Sequence, residues 1–320
     1  MKIVVLDSYC VRPGDLDWTG LYDLADVVEE YPRTGYELLA DHLRDADFAV
    51  SNKCRIDDAV LDACPRLRWV GLTATGTDSL DLEACRRHGV AVANVPGYST
   101  NSVAQHAFAL LLEVANGTAA RAASLRDGYW QTGVPDSYGI RPHFELAGRT
   151  FGVVGYGAIG RAAARIAHGF GMRVIAYTRH VKPEYAADGV EFVDFDTLLK
   201  ESDVLSLHTP ATPATRGVVS AAALEKIKPG CILVNTARGA LVDEAAVAEA
   251  LKNGRLGFYA ADAFAVEPLP ADSPLRGLPN ALLTPHIAWT TKEALQKLMD
   301  ITTQNLRSFL AGAGENIVNR

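Results

Sequence analysis

The most constraining stretch of this 320-residue chain runs from Phe151 to Arg179. An apolar run, Phe151-Gly152-Val153-Val154, enters a loop reading Gly155-Tyr156-Gly157-Ala158-Ile159-Gly160, and an Ala-rich helical pattern follows to Phe170. The next piece, Arg173 to Thr178, is again short, apolar and β-branched, so the spacing predicts one βαβ unit. Each glycine has its own reason: Gly155 for a tight turn, Gly157 so that backbone can approach phosphates, Gly160 for close packing of helix on strand. The pyrophosphate of a dinucleotide would then rest on free N–H groups at the helix start. A bare glycine pattern is weak, and it gains meaning here from the strands on both sides.

The second strand of such a unit ordinarily ends in an acid that binds ribose hydroxyls and repels a 2′-phosphate. Here that position is Thr178, followed by Arg179 and His180. A neutral Thr removes the repulsion and Arg179 offers a phosphate a positive, forked donor, so the sequence favours NADP(H), with NAD(H) as the alternative.

The chain is long enough for two domains with cores of their own. Apolar residues make up 48% and charged residues 22%, which argues against a disordered or fibrous class. A net charge of −7 speaks against nucleic-acid and anionic-membrane partners and leaves a small molecule as the expected ligand. The start, Met1-Lys2-Ile3-Val4-Val5-Leu6-Asp7, reads as a first strand rather than a signal peptide, and no apolar run approaches membrane-spanning length. Five cysteines (Cys10, Cys54, Cys64, Cys85, Cys231) lack paired ligand spacing, so reduced thiols in cytoplasm and no metal site are expected.

Before the glycine loop the chain keeps an α/β rhythm of its own. Strands are expected at 3–6, 48–51, 68–72 and 90–94, with helices around 35–45, 57–64 and 81–88. The helical stretch 99–115 is apolar around most of its girth, which predicts burial between domains or between subunits. Gly128 to Leu146 reads as an irregular connector that turns into the strand at Phe151. Beyond the βαβ unit, strands are expected at 190–193, 204–208, 232–235, 257–261 and 281–283, with helices ending at Glu201 and spanning 221–227 and 243–253. A final amphipathic helix (Leu295, Leu298, Ile301, Leu306, Phe309, Leu310) fits no further βα unit and is expected to cross back to the N-terminal body. The cleft between the two α/β bodies is the default site.

Three stretches place an ionisable residue at a strand end: Asn235-Thr236-Ala237-Arg238-Gly239, Asp262-Ala263-Phe264-Ala265-Val266-Glu267-Pro268 and Thr284-Pro285-His286-Ile287-Ala288. An Arg, a Glu and a His beside a nicotinamide would suit carbonyl reduction. Arg grips a carboxylate, His delivers a proton, and Glu keeps that His charged.

Together with Thr75-Gly76-Thr77-Asp78, Asn94-Val95-Pro96-Gly97 and Leu207-His208-Thr209-Pro210, these motifs resemble the D-isomer-specific 2-hydroxyacid dehydrogenase family over almost the full length. The stretch Tyr98 to His106 is similar to its glycerate dehydrogenase or hydroxypyruvate (glyoxylate) reductase branch. The resemblance implies an α/β fold of two Rossmann-like domains, a parallel-sheet nucleotide-binding domain (99–289) inserted into a flavodoxin-like substrate domain (1–98 plus 290–320). It implies an NAD(P)-dependent enzyme that reduces a small 2-keto acid, hydroxypyruvate or glyoxylate first. His286 would be the acid/base, Glu267 its carboxylate partner and Arg238 the anchor of the substrate carboxylate. Substrate contacts would also come from Lys53 and from backbone around Ala74, Thr75 and Gly76. Cofactor contacts would come from Gly155, Tyr156, Gly157, Ala158, Ile159, Gly160, Thr178, Arg179, His208, Thr209, Pro210, Thr215, Thr236, Ala237 and Asp262. A homodimer is expected on the same ground. The competing readings are a phosphoglycerate or other D-2-hydroxyacid dehydrogenase, and a non-catalytic dinucleotide-sensing protein of the same fold. His42, His88, His106, His143, His168 and His180 carry no functional expectation.

Overall fold

The computed structural model describes residues 1–11, 15–128 and 143–320. It divides into two compact units, Met1–Ser99 with Trp289–Arg320, and Thr100–Ala288.

The first unit is built on β1 (Lys2–Leu6), β2 (Val27–Tyr31), β3 (Phe48–Ser51), β4 (Trp69–Leu72) and β5 (Ala91–Ala93). Their order is β2-β1-β3-β4-β5 and every neighbouring pair is parallel, the flavodoxin-like arrangement. Side chains alternate across the sheet. Ile3 and Val5 join Phe48, Val50 and Trp69 on one face, while Val4 and Leu6 join Ala49, Val70 and Leu72 on the other. Because both faces are covered, these strands read as continuous apolar runs. The last helix, Lys292–Leu310, supplies Leu295, Leu298, Met299 and Leu306 to the first face, so the chain does cross back. β2 was not expected from the sequence; it is the edge strand, and Glu29 and Glu30 break its apolar pattern.

The second unit holds β6 (Thr150–Val154), β7 (Arg173–Tyr177), β8 (Glu191–Phe192), β9 (Val204–Leu207), β10 (Cys231–Asn235), β11 (Leu256–Ala261) and β12 (Ala281–Leu283). Their order, β12-β11-β10-β9-β6-β7-β8, is the doubly wound dinucleotide-binding order with one strand added at an edge, and all pairs are parallel. The order in which the chain adds strands reverses between β6 and β9, which opens a crevice beyond their carboxyl ends.

The helix Thr100–Asn116 corrects one expectation. Its apolar residues are buried in this unit's own core, where the Phe108 ring lies 5.4 Å from Phe151 and 5.7 Å from Phe170. Small residues on both partners, Ala104 and Ala107 against Ala162 and Ala163, allow it to pack on the helix Ala158–Gly169. A further helix, Thr118–Arg126, buries none of its residues and therefore left no apolar stripe to read. Most of the connector expected at Gly128 to Leu146 lies outside the described residues. Among the described residues no helix is long and apolar enough to cross a membrane, and no cluster of three or more His, Cys, Asp or Glu is arranged to hold a metal.

Candidate active site

Six neighbouring strand ends of the second unit carry the residues singled out in the sequence. Passing along the sheet, β12 leads to His286, β11 to Asp262 and Glu267, β10 to Thr236, Ala237 and Arg238, β9 to His208, β6 to the glycine turn and β7 to Thr178. All the strands are parallel, so all these residues stand at one edge.

The glycine turn has the shape its spacing predicts. Gly155 adopts φ +91°, and a Cβ there would lie 2.6 Å from the His208 carbonyl oxygen, so β9's end presses on the turn. A Cβ on Gly160 would lie 2.2 Å from the Gly155 carbonyl oxygen, which is the close helix packing expected. At Gly157 a Cβ would meet nothing within 4 Å, so the backbone borders open space. Gly157 caps the helix Ala158–Gly169 without any side-chain bond, leaving first-turn N–H groups to an anion. Two polar atoms nearby on the sheet edge, His208 Nδ1 and Thr236 Oγ1, are sealed from solvent and have no hydrogen-bond partner among the described residues. These features fit a dinucleotide. Burial pushes the His208 imidazole down to about 4, so it is neutral at ordinary pH, with Nε2 2.8 Å from Ser206 Oγ.

Tyr156, inside the glycine turn, points into the core and not towards open space. Its hydroxyl donates to Asp188 Oδ2 (3.1 Å), and Arg161 grips the same carboxylate through Nε and Nη2 (2.7 and 3.0 Å). The Arg161 bonds are the main cause that holds the Asp188 carboxyl below its usual range. Burial and Asp188 push the Tyr156 phenol up to about 12. Asp188 ends the 3-10 turn Pro183–Asp188, which continues from Thr178-Arg179, so this contact ties the phosphate turn to the segment beyond β7. Thr178 is half-buried and Arg179 exposed. Thr215 Oγ1 donates to the Pro210 carbonyl (2.6 Å) and closes the loop after β9.

Arg238 is presented by a turn that Asn235 closes. The buried Asn235 amide donates to the Arg238 carbonyl (2.9 Å) and accepts from Ala237 N (3.1 Å). Gly239 then passes against the next strand end, where a Cβ would sit 1.8 Å from the Phe264 carbonyl carbon. Phe264 N donates to Glu267 Oε1 (3.0 Å), and His286 Nδ1 donates to Glu267 Oε2 (2.6 Å). Backbone contact and two hydrogen bonds therefore connect the Arg238 turn, Glu267 and His286. The His286 side chain is 31% exposed, so Nδ1 is engaged while the ring still reaches solvent.

Asp262 is 1% exposed and faces inward. It accepts from Thr284 Oγ1 (2.6 Å), Ile287 N (2.9 Å) and Ala288 N (2.7 Å). Burial works to raise its carboxyl, but the His106 ring 3.5 Å away and the bonds from Thr284, Ile287 and Ala288 outweigh it and hold the group below its usual range. His106, given no role from the sequence, lies 3.0 Å from Thr284 Oγ1. Asn101, Gln105 and Glu113 are also polar on this helix, so nothing in the local sequence singles out Ser102 and His106.

The remaining expected residues belong to the first unit. Lys53 is exposed beyond β3, and its backbone N donates to Asp7 Oδ2 (3.1 Å). Thr75 is held beyond β4 by its hydroxyl on the Val95 carbonyl (2.8 Å) and by Asn94 on its own carbonyl (2.7 Å), with Gly76 next to it.

Comparison with known proteins identifies the family. Residues 108–288 match the family model described as the NAD-binding domain of D-isomer specific 2-hydroxyacid dehydrogenases. The chain is 39% identical over 322 residues to a hydroxypyruvate reductase of Blautia hydrogenotrophica, covering 100% of both chains. It is 39% identical over 285 residues to a glycerate dehydrogenase of Methylorubrum extorquens, covering 88% of each. Among solved structures it is similar to the TT0316 protein of Thermus thermophilus (36% identity, TM-score 0.88, 99% of this chain and 100% of that one). It is also similar to an acyclic imino acid reductase, Bsp5, in complex with NADPH and D-Arg (30% identity, TM-score 0.86, 99% and 100%). The chain belongs to the D-isomer specific 2-hydroxyacid dehydrogenase family, enzymes that move a hydride between a nicotinamide dinucleotide and a 2-keto or 2-hydroxy acid.

Proposed function

We propose that the protein reduces hydroxypyruvate or glyoxylate with NADPH, using Arg238, Glu267 and His286. The single observation that carries this reading is the 2.6 Å contact between His286 Nδ1 and Glu267 Oε2 on the strand edge that also bears the glycine turn and Arg238. A bound dinucleotide supplies the hydride, and the chain must supply the rest. A carboxylate can only accept, so Nδ1 carries a proton and Nε2 is the nitrogen left to give one to the keto oxygen. Glu267 fixes the ring's orientation and faces the charge that a second proton places on it. Arg238 binds the substrate carboxylate with a planar fork that Lys does not reproduce.

The branch assignment is supported by the hydroxypyruvate reductase and glycerate dehydrogenase at 39% identity. The preference for NADPH is supported by a neutral Thr178 and an exposed Arg179 where an acid would repel the 2′-phosphate. The test is cofactor oxidation over a panel of 2-keto acids with NADPH and NADH in parallel. We expect the highest kcat/KM for hydroxypyruvate or glyoxylate with NADPH; a higher value for a branched or phosphorylated acid, or for NADH, overturns the corresponding half of the proposal.

A further inference from the structure

The conformation of His286 needs an explanation that Glu267 does not provide. Its backbone lies in the left-handed region, φ +57°, where the Cβ of a non-glycine residue crowds the following carbonyl oxygen. Such a conformation persists only where its surroundings over-determine it. Around His286 they do. On one side, Asp262 accepts from the backbone N–H groups of the next two residues, Ile287 and Ala288. Immediately before it, His286 N donates back to the Thr284 carbonyl (3.0 Å), and the Thr284 hydroxyl donates to Asp262 Oδ1 (2.6 Å).

The helix Thr100–Asn116 closes this frame from the other side. Ser102 Oγ donates to the Ala288 carbonyl, and His106 Nε2 lies 3.0 Å from Thr284 Oγ1 and 3.5 Å from Asp262 Oδ1. Residues four apart share a helix face, so one turn of helix holds both ends of the pentapeptide that carries His286. The direction of the His106 bond follows from proton counting. Thr284 has one hydroxyl proton and commits it to the closer acceptor, the Asp262 carboxylate, so His106 Nε2 must donate to the Thr284 oxygen. His106 therefore has a defined tautomer and donates into a buried frame. No simple core packing role requires that donor.

We infer that His106 and Ser102 are positioning residues for His286: they act through Thr284, Asp262 and the Ala288 carbonyl to hold the proton-donating ring in its reactive place. The inference rests on the reading of His286 as the acid. A displacement of about 1 Å at a reacting group is enough to cost on the order of a hundredfold in rate.

The experiment compares His106→Leu, His106→Gln, Ser102→Ala and His286→Ala in the full chain, measuring kcat and KM for hydroxypyruvate, and NADPH affinity without keto acid. We expect His106→Leu to lower kcat by about tenfold or more with KM and NADPH affinity within about twofold, and Ser102→Ala to lower it several-fold. His106→Gln, which keeps a donor, should recover most of the turnover. If His286→Ala is inactive while His106→Leu and Ser102→Ala turn over like wild type, the inference falls and the acid assignment stands. If His286→Ala keeps wild-type turnover, the acid assignment itself falls. Loss of NADPH affinity in parallel with kcat in His106→Leu, with no recovery in His106→Gln, shows a merely structural role and also overturns the inference. Should His106→Leu fail to fold, Ser102→Ala and His106→Gln decide the matter: a lowered kcat at unchanged NADPH affinity in Ser102→Ala supports it, and wild-type kcat in both contradicts it.

Discussion

Glu267 reaches His286 Nδ1 with one carboxylate oxygen at 2.6 Å and receives Phe264 N on the other at 3.0 Å. The carboxylate is therefore held by backbone on one side while it holds the imidazole on the other. Replacing it by Gln keeps the size and removes the charge. We expect Glu267→Gln to lower kcat for keto-acid reduction by about ten- to a hundredfold while NADPH affinity stays as in wild type. Steady-state kinetics with a parallel binding titration checks this, and an unchanged kcat separates Glu267 from the chemistry.

The Tyr156–Asp188–Arg161 contact joins the phosphate turn to the segment beyond β7. Asp188→Ala removes three hydrogen bonds at once, and we expect it to weaken NADPH and NADH alike by about tenfold, the equivalent of about 1.4 kcal/mol. Tyr156→Phe, which keeps the ring against Tyr185 and Phe192, should have a smaller effect in the same direction. Fluorescence titration without keto acid measures both, and wild-type affinity in Asp188→Ala would show that the turn holds its shape unaided.

Cofactor choice turns on the residue after β7. A charge-assisted hydrogen bond contributes about 1.5–3 kcal/mol, so Arg179→Ala should weaken NADPH by roughly tenfold or more and leave NADH nearly unchanged. The ratio of the two dissociation constants is the readout. An unchanged ratio removes Arg179 from phosphate recognition.

His208 gives the fold a pH dependence of known sign. An unfolded His titrates near about 6.5, while burial keeps the native ring neutral down to about 4. Between those values the unfolded chain binds a proton that the native chain does not, so stability falls as pH falls through that window. Urea denaturation at pH 7 and pH 5 should show wild type losing about 1–2 kcal/mol more than His208→Gln. Equal losses would mean that the ring finds a partner or solvent in the native state.

Much of this was readable from the chain because parallel strands buried on both faces announce themselves as apolar runs, as Ile3–Leu6 and Val204–Leu207 do. The glycine turn was readable for a different reason: at Gly155 and Gly160 backbone crowds out any side chain, while Gly157 between them borders open space. β2 was missed because an edge strand tolerates Glu29 and Glu30, and Thr118–Arg126 because it buries nothing. The grip of Ser102 and His106 depends on contacts 186 and 178 residues apart in sequence, which no local pattern encodes. Apart from the family resemblance, Arg238, Glu267 and His286 stood out as ionisable residues after strands; the parallel register of β10, β11 and β12 is what sets them on one edge.

The central claim is that His286 delivers the proton beside a dinucleotide bound at the glycine turn. Its most direct test is kcat for hydroxypyruvate reduction by His286→Ala, measured on protein whose NADPH affinity has been shown to match wild type. The account predicts a loss of about 10²–10⁴-fold in kcat with binding intact. Turnover near the wild-type rate in that variant would contradict it.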